Sequence, residues 1–598
     1  MRNKLNIPLI ALVIALSGIS CSKDFLDTPP TDQYAESAVW SDPALVETFI
    51  NNLYFRLYEP LTDGRMLANV VDEAHYRGNA ASLNFNRGNI TQDDIPGWSY
   101  RRYLGWADLY KSIRNCNIFF EKVDEVPFAD QTVDGKSVAD RMTGEVHLMR
   151  AFFYHYLTTL YGGVPLIKEP FGLDGEFSTP RTSYAECIDF IIEDLNKAAE
   201  LLPAAHTGAN LGRATRGAAL ALKSRVLLYA ASDLYNANPV TSAFAKPELL
   251  GYNGGDRTAR WREAKDAAKA VIDLNAYQLY KGNPGATDSI ARNITEIFLS
   301  PQTEEDIFIK YFTVVMTQRW GLYASPNGYY GWGTNAPLAG YVDAFEMADG
   351  TKFNWSDPEH AALPYNNREP RFYATLLHNG AQWRERPEDV KAIDPLNRIQ
   401  TGVWKRWNAT TNTEYEQYGV DTRNSPIENW NGSYTGYYCR KYIDPTVNVQ
   451  YVRQPTTWRF IRYAEILLNY AEACINLGED AEARTYINMV RHRAGLPPLT
   501  ESGAGLMERY RNERRVELAF EEHRFFDVRR WMIGPDAYKS TKVAKIVYKL
   551  NADKTTATVP TITHENFETY TWQNKAYFLP ILRDELNKNS ALVQNPGY

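Results

Sequence analysis

Cysteine is rare in this chain: five residues among 598, none in a Cys-x-x-Cys pair. That removes support for zinc-ribbon and thioredoxin-like readings. Histidine is sparse at nine residues, and no His-Glu-x-x-His segment occurs; His147 and His155 read simply as positions on a helix. Also missing are a Gly-x-Ser-x-Gly elbow, a Walker loop and a strand-to-helix Gly-x-Gly-x-x-Gly, so serine-nucleophile, phosphate-loop and dinucleotide chemistry have no signature. Asp130-x-x-x-Asp134-Gly135 and Asp72-Glu73 lack the alternating oxygen ligands of an EF-hand. These absences predict no metal and no cofactor. Excess positive charge is absent too: 65 Lys and Arg face 72 Asp and Glu, a net −7, which argues against a nucleic-acid partner, whose phosphates need clustered cations. After residue 21 no uninterrupted apolar run approaches the roughly 18 residues of a membrane helix. Lys223 and Arg225 break the best candidate.

Aromatic residues are what the chain has in plenty: 14 Trp, 39 Tyr and 25 Phe, 13% of the whole. Trp and Tyr join an apolar body to a polar tip, so this supply points to recognition surfaces. Otherwise the composition is that of a folded globular chain, with length enough for about four average domains. At the N-terminus, Arg2 and Lys4 precede an apolar run from Leu5 to Leu16, then Ser17-Gly18-Ile19-Ser20 and Cys21. A basic n-region, an apolar region of about twelve residues and a small-residue cleavage site make residues 1–20 a signal peptide, too short to span a bilayer. A cysteine directly after that site resembles the bacterial lipobox, although Gly18 stands where the pattern commonly has Leu. Cys21 is therefore expected to be acylated and to tether the mature protein to a membrane. Cys116, Cys187 and Cys474 sit in helical spacing and read as buried free thiols.

The rest of the chain reads as mainly α. Apolar residues recur with a 3.6-residue rhythm from Asp140 to Tyr161, stopped by Gly162-Gly163-Val164-Pro165, and again from Tyr184 to Leu202. Alanine-rich segments Arg213–Ser232 and Trp261–Leu274 make a further pair. The clearest unit runs from Trp458 to Arg493, with its turn at Leu477-Gly478-Glu479-Asp480. It resembles a tetratricopeptide repeat, a helical hairpin that buries its apolar face by stacking on its neighbours. About four such hairpins are expected to form a rigid scaffold. Between them lie long aperiodic insertions, Thr62–Tyr100, Ser300–Gln400 and Thr401–Thr457, which hold most of the Trp and Tyr and are expected to carry minor β structure. Loops this long in a compact protein usually carry function.

The motifs of the C-terminal half carry a family resemblance. They are Arg462-Tyr463-Ala464-Glu465-Ile466-Leu467-Leu468-Asn469-Tyr470-Ala471-Glu472-Ala473, then Arg493-Ala494-Gly495-Leu496-Pro497, and the arginine-rich block from Glu513 to Trp531. The chain closes on Phe578-Leu579-Pro580-Ile581 and Asn595-Pro596-Gly597-Tyr598. With Cys21 to Leu26, these resemble the SusD/RagB family of the Bacteroidetes. The resemblance divides the mature chain into an N-terminal region, 21–300, with helical repeats and ligand loops, and a C-terminal region, 301–598, with the aromatic insertions and the last repeat. It implies a cell-surface outer-membrane lipoprotein that binds glycans, performs no catalysis, and serves as the lid of a SusC-like TonB-dependent transporter. Read from the residues alone, the arginine-rich block is structural: a helix with Glu517 paired to Arg514 and Glu521 to Arg524, its other face burying Val516, Phe520 and Phe525.

A sugar ring offers a C–H face for an aromatic π surface and a belt of hydroxyls for Asp, Asn, Gln and Arg. Two insertions combine those types. The first holds Asp72, Glu73, His75, Tyr76, Arg77, Asn79, then Trp98, Tyr100 and Arg101. The second runs from Trp320 through Tyr329 and Trp332 to Tyr341, with glycines expected to turn the rings outward. Trp98 and Trp320 are expected to stack on ligand, with Asp72, Arg77, Tyr329 and Trp332 in support. Trp106 and Tyr110 read as core. A third cluster, Trp404, Trp407, Trp430, Tyr434, Tyr437 and Tyr438, reads as strands or as a partner-facing surface. Binding of roughly millimolar to micromolar strength suits a receptor that passes its cargo on. The competing readings are a peptide receptor on the same scaffold, a glycoside hydrolase using two of the many carboxylates, and a purely structural repeat protein.

Overall fold

The computed structural model describes residues 36–76, 80–98, 101–172, 178–313 and 315–598. The expectations for Cys21, Arg77, Asn79 and Tyr100 lie outside the described residues. The fold is mainly helical with small sheets. The principal helices are α1 (Pro43–Phe55), α2 (Trp106–Lys122), α3 (Val138–Tyr161), α4 (Tyr184–Leu201), α5 (Arg216–Ala231), α6 (Arg257–Ile272), α7 (Tyr463–Asn476), α8 (Asp480–Arg493), α9 (Gly503–Glu517) and α10 (His523–Arg530).

Their ends are set by local chemistry. The side chains of Asp42, Ser137, Thr215 and Asp256 accept first-turn amide hydrogens, and Ser183 with Glu186 closes a capping box. Helix α3 stops at Gly162, whose φ of +82° suits glycine; a Cβ there would lie 2.3 Å from the carbonyl oxygen of Leu249. From α2 to α6 each helix packs on the next. Helix α6 then packs on α7, and α7 on α8, so residues 273–462 are looped out of an otherwise continuous stack. Ala264, Ala268, Ala464 and Ala471 are buried, and these small side chains let the helices approach closely. Each added helix buries the apolar face of the one before, which is how a repeat scaffold becomes stable.

The looped-out segment is tied at its base and spread at its tip. The main strands, in chain order and leaving aside two-residue pairings at 132–137 and between 376–377 and 438–439, are β1 (Ala74–His75), β2 (Asp306–Lys310), β3 (Ala336–Pro337), β4 (Val403–Asn408), β5 (Thr413–Tyr418), β6 (Trp458–Arg462), β7 (Ser540–Tyr548) and β8 (Thr561–Thr569). Strands β2 and β6 pair antiparallel and close the insertion's two ends against each other. A four-stranded sheet in the order β8-β7-β4-β5 forms a wing, with β4 and β7 parallel and the outer pairs antiparallel.

The arginine-rich block is structural, but its pairs are not the local ones. Helix α9 ends at Glu517, and Phe520 and Glu522 take φ of +55° and +69°, so Glu521 and Arg524 do not share a helix; Arg514 and Glu517 do share α9, but both side chains are taken by remote partners. Glu517 instead meets Arg462 at 2.7 Å, Arg371 at 3.1 Å and also Arg493, while Glu521 meets Arg462 at 2.7 Å and Lys441 at 2.6 Å. Arg514 binds Asp527 at 2.9 Å and Arg524 binds Asp72 at 2.8 Å. Burial opposes ionisation of Glu517, but Arg493, Arg462 and Arg371 together hold its carboxyl well below the usual range. Val516, Phe520 and Phe525 are buried as expected. The block therefore welds α9 and α10 to the insertion and to α7 and α8 with bidentate, mutually neutralising charges. The free thiols of Cys116, Cys187, Cys439 and Cys474 are buried.

Candidate functional site

The structure corrects the choice of stacking rings. Trp320 is 0% exposed, and its Nε1–H donates to the carbonyl oxygen of Lys441 at 2.9 Å. Trp98 is buried too, its ring stacked on Phe85 with centroids 6.2 Å apart and its N–H directed at the Leu104 carbonyl at 3.4 Å. Tyr329 is sealed under Arg386, whose guanidinium lies 4.1 Å from the ring centroid, and its hydroxyl donates to the Arg384 carbonyl at 2.9 Å. Each ring has found an internal acceptor for its polar atom, so burial costs no lost hydrogen bond and gains a large apolar contact. The glycine beside Trp320 serves the same packing: a Cβ on Gly321 would lie 2.2 Å from Gln454 Oε1. Trp106 is core, as read.

Asp72 is committed as well. Arg515 and Arg524 reach its carboxylate at 3.0 and 2.8 Å. Burial works to raise its pKa, but these two guanidiniums outweigh it and hold the group at about 2. Its neighbour Glu73 has the opposite fate, pushed up to about 8 chiefly by burial. Two adjacent carboxyls are thus split into an anion and a neutral acid.

Among the expected six, Trp332 reaches solvent, at 38% exposure, and it has company the sequence placed in another cluster: Trp430 at 60% and Tyr434 at 38%. The loops carrying them are locked together. The Trp332 amide donates to Leu322 O at 2.8 Å, and Tyr323 packs edge-on against the indole with centroids 5.1 Å apart. Next along, Gly333 (φ +56°) presses on the second loop so closely that a Cβ would lie 2.4 Å from the Asn431 carbonyl oxygen. Asn327 Nδ2 donates to the carbonyls of Thr422 and Glu428 at 2.9 and 2.6 Å. Arg423 donates to Trp430 O at 2.7 Å and stands 4.3 Å over the Tyr434 ring. Tyr434 in turn rests against His75 and Phe567, at centroid distances of 5.5 and 5.8 Å. Burial pushes His75 down to about 4, so this support is a neutral imidazole. Asn335 ties the same segment to the first insertion, donating to Gly64 O at 2.8 Å and accepting from the Met66 amide at 3.2 Å.

The result is a platform of exposed rings on pre-formed loops, with guanidinium and amide donors at hand. Trp430 and Tyr434 had a legible signal. They stand in Asn429-Trp430-Asn431-Gly432-Ser433-Tyr434, where no apolar neighbour supplies a core to enter. One thiol–carboxylate group, Cys474 with Glu479 and Glu482, has ligand-like spacing among the described residues. Lys265 already binds both carboxylates and burial pushes the thiol up to about 12, so it is an ion-pair cluster.

A helical-repeat scaffold carrying surface loops of aromatic residues defines the class. Residues 304–598 match the model of the SusD family, and residues 24–228 match one described as starch-binding, associating with outer membrane. A SusD-like protein of Bacteroides fragilis, solved as a crystal structure, is 30% identical with a TM-score of 0.72, covering 96% of this chain and 100% of its own. A second solved protein of that organism, described as a SusD-like carbohydrate binding protein, is 22% identical with a TM-score of 0.69, covering 93% of this chain and 100% of its own. A SusD-like protein of Formosa agariphila is 22% identical over 88% of this chain and 92% of its own length. The chain belongs to the SusD family. No helix among the described residues is long and apolar enough to cross a membrane.

Proposed function

We propose that this protein is a non-enzymatic glycan receptor that captures oligosaccharide or polysaccharide on the Trp332–Trp430–Tyr434 platform. The single observation that carries this reading is the exposure of those three rings on loops braced by Arg423, Asn327 and Asn335. Indole and phenol faces take the C–H faces of successive sugars, and the side chain of Arg423 supplies hydroxyl partners. A rigid platform loses little entropy on binding, yet it stays open to water, so affinity is modest. The carbohydrate-binding description of the second solved relative supports the ligand class. The outer-membrane description of the matched family model supports a surface location, with acylated Cys21 as the tether. Delivery to a SusC-like TonB-dependent transporter, with this protein as its lid, completes the proposal.

The test is retention in native affinity gels cast with starch, laminarin, galactomannan or xylan, followed by calorimetry. Retardation lost in Trp430→Ala and Trp332→Ala is the expected result. No retardation by any polysaccharide, with binding to a peptide mixture instead, refutes it in favour of peptide capture. New reducing ends in the retained polymer refute the non-enzymatic part.

A further inference from the structure

The wing sheet has two unlike faces. Its inner face carries buried Ile546 and half-buried His564, the latter beside the Tyr437 hydroxyl at 3.3 Å, and covers the body. The strand registers, Val543 opposite Glu565, Val547 beside Val403 and Trp407 opposite Glu414, put Glu565, Lys545, Lys405, Glu416 and Trp407 on the outer face. The sheet begins at the platform: Phe567, two residues past Glu565 and beyond the irregularity in the β7–β8 pairing, is the ring against which Tyr434 and His75 rest. It ends at Trp407, roughly 30 Å away along the strands at about 3.3 Å per residue. There the Lys554 ammonium stands 3.7 Å from the indole centroid, fixing the ring and adding a hydroxyl-binding donor. Between the two ends the charges are cross-paired, Lys405 with Glu416 and Lys545 with Glu565, each at 2.9 Å. The surface is therefore polar and rich in hydrogen-bonding groups, without a net field to attract or repel an ionic polymer.

We infer that this outer face is a second binding region, a track that carries an uncharged polysaccharide from the platform to a distal subsite at Trp407. The inference rests on the glycan-capture reading and deepens it: the ligand is a polymer chain of many sugars, and short oligosaccharides fill the platform alone. Trp407 acts there by stacking, and the paired Lys and Glu ladder acts by hydrogen bonds to hydroxyls along the way.

The experiment uses the full-length mature protein and whichever of starch, laminarin, galactomannan or xylan retards it, together with a size ladder made from that polymer by partial acid hydrolysis. Trp407→Ala is expected to weaken binding of the polymer and the longest fragments by roughly three- to tenfold, the size of one lost ring contact, and to leave the shortest bound fragments unchanged. Thr563→Arg, which blocks the middle of the exposed face while keeping Trp407, is expected to do the same. Equal affinity of both variants and the parent at every length overturns the track, as does an equal loss at every length. Trp430→Ala separates the two ideas: it is expected to lose short and long fragments alike. Failure of every polymer to bind the parent protein overturns both readings.

Discussion

The indole N–H of Trp320 donates to the backbone carbonyl of Lys441 at 2.9 Å, in a position that solvent does not reach. Lys441 then turns its ammonium to Glu521 at 2.6 Å and to the Ala519 carbonyl at 2.7 Å. One contact thus joins the aromatic insertion to the arginine-rich block, and it makes Trp320 a structural residue.

Trp320→Ala is accordingly expected to lower stability by about 3–5 kcal/mol, the range for deleting a large buried aromatic. Thermal or urea unfolding measures the loss. A variant as stable as the parent that loses glycan binding contradicts the assignment.

Trp430→Ala removes an exposed ring, so its expected effect is the reverse: stability unchanged within about 0.5 kcal/mol and affinity for the retained glycan down by roughly tenfold or more. Paired calorimetry and thermal unfolding separate the two effects.

Arg423→Ala keeps every exposed ring but removes the guanidinium that holds the Trp430 backbone and covers Tyr434. The expected result is a smaller loss of glycan affinity, roughly two- to fivefold, and faster amide exchange across residues 429–434. Unchanged exchange and unchanged affinity count against its bracing role.

Glu517→Gln strips the carboxylate shared by Arg371, Arg462 and Arg493. Three buried cations lose a common partner, and a loss of about 3–5 kcal/mol is expected. Urea unfolding at neutral pH checks it; a loss under about 1 kcal/mol shows that the surrounding carboxylates compensate.

Glu73 gives a pH signature. Burial raises it to about 8, above its value in the unfolded chain. Its contribution to stability is fully present below the unfolded pKa and is lost as pH rises toward and through the folded one, because the unfolded chain sheds the proton first. Glu73→Gln imitates the neutral acid, so its advantage over the parent is expected to grow between about pH 4.5 and 8, at up to roughly 1.4 kcal/mol per pH unit. Parallel melting curves for the two proteins across that interval contradict a raised pKa.

Much of the fold was legible before any coordinates. The rhythm from Asp140 to Tyr161, its stop at Gly162, and the hairpin turn at Gly478 describe contacts a few residues apart, and α3, α7 and α8 lie where that rhythm runs. The aromatic site was legible only by region. The same run from Trp320 to Tyr341 holds both sealed Trp320 and exposed Trp332, and nothing in their immediate neighbours separates them.

The sequence by itself determined the helices, their caps and the family signature, because backbone propensity, capping and apolar periodicity are local. Tertiary structure decided which rings meet water and which carboxylate each arginine holds. An indole is content in a core once a distant carbonyl accepts its N–H, as Lys441 does for Trp320 from 121 positions away. A glutamate abandons its helical neighbour once three remote guanidiniums converge on it, as Arg371, Arg462 and Arg493 do on Glu517. Those choices are made between segments far apart in the chain, and only the packed molecule brings the choosers together.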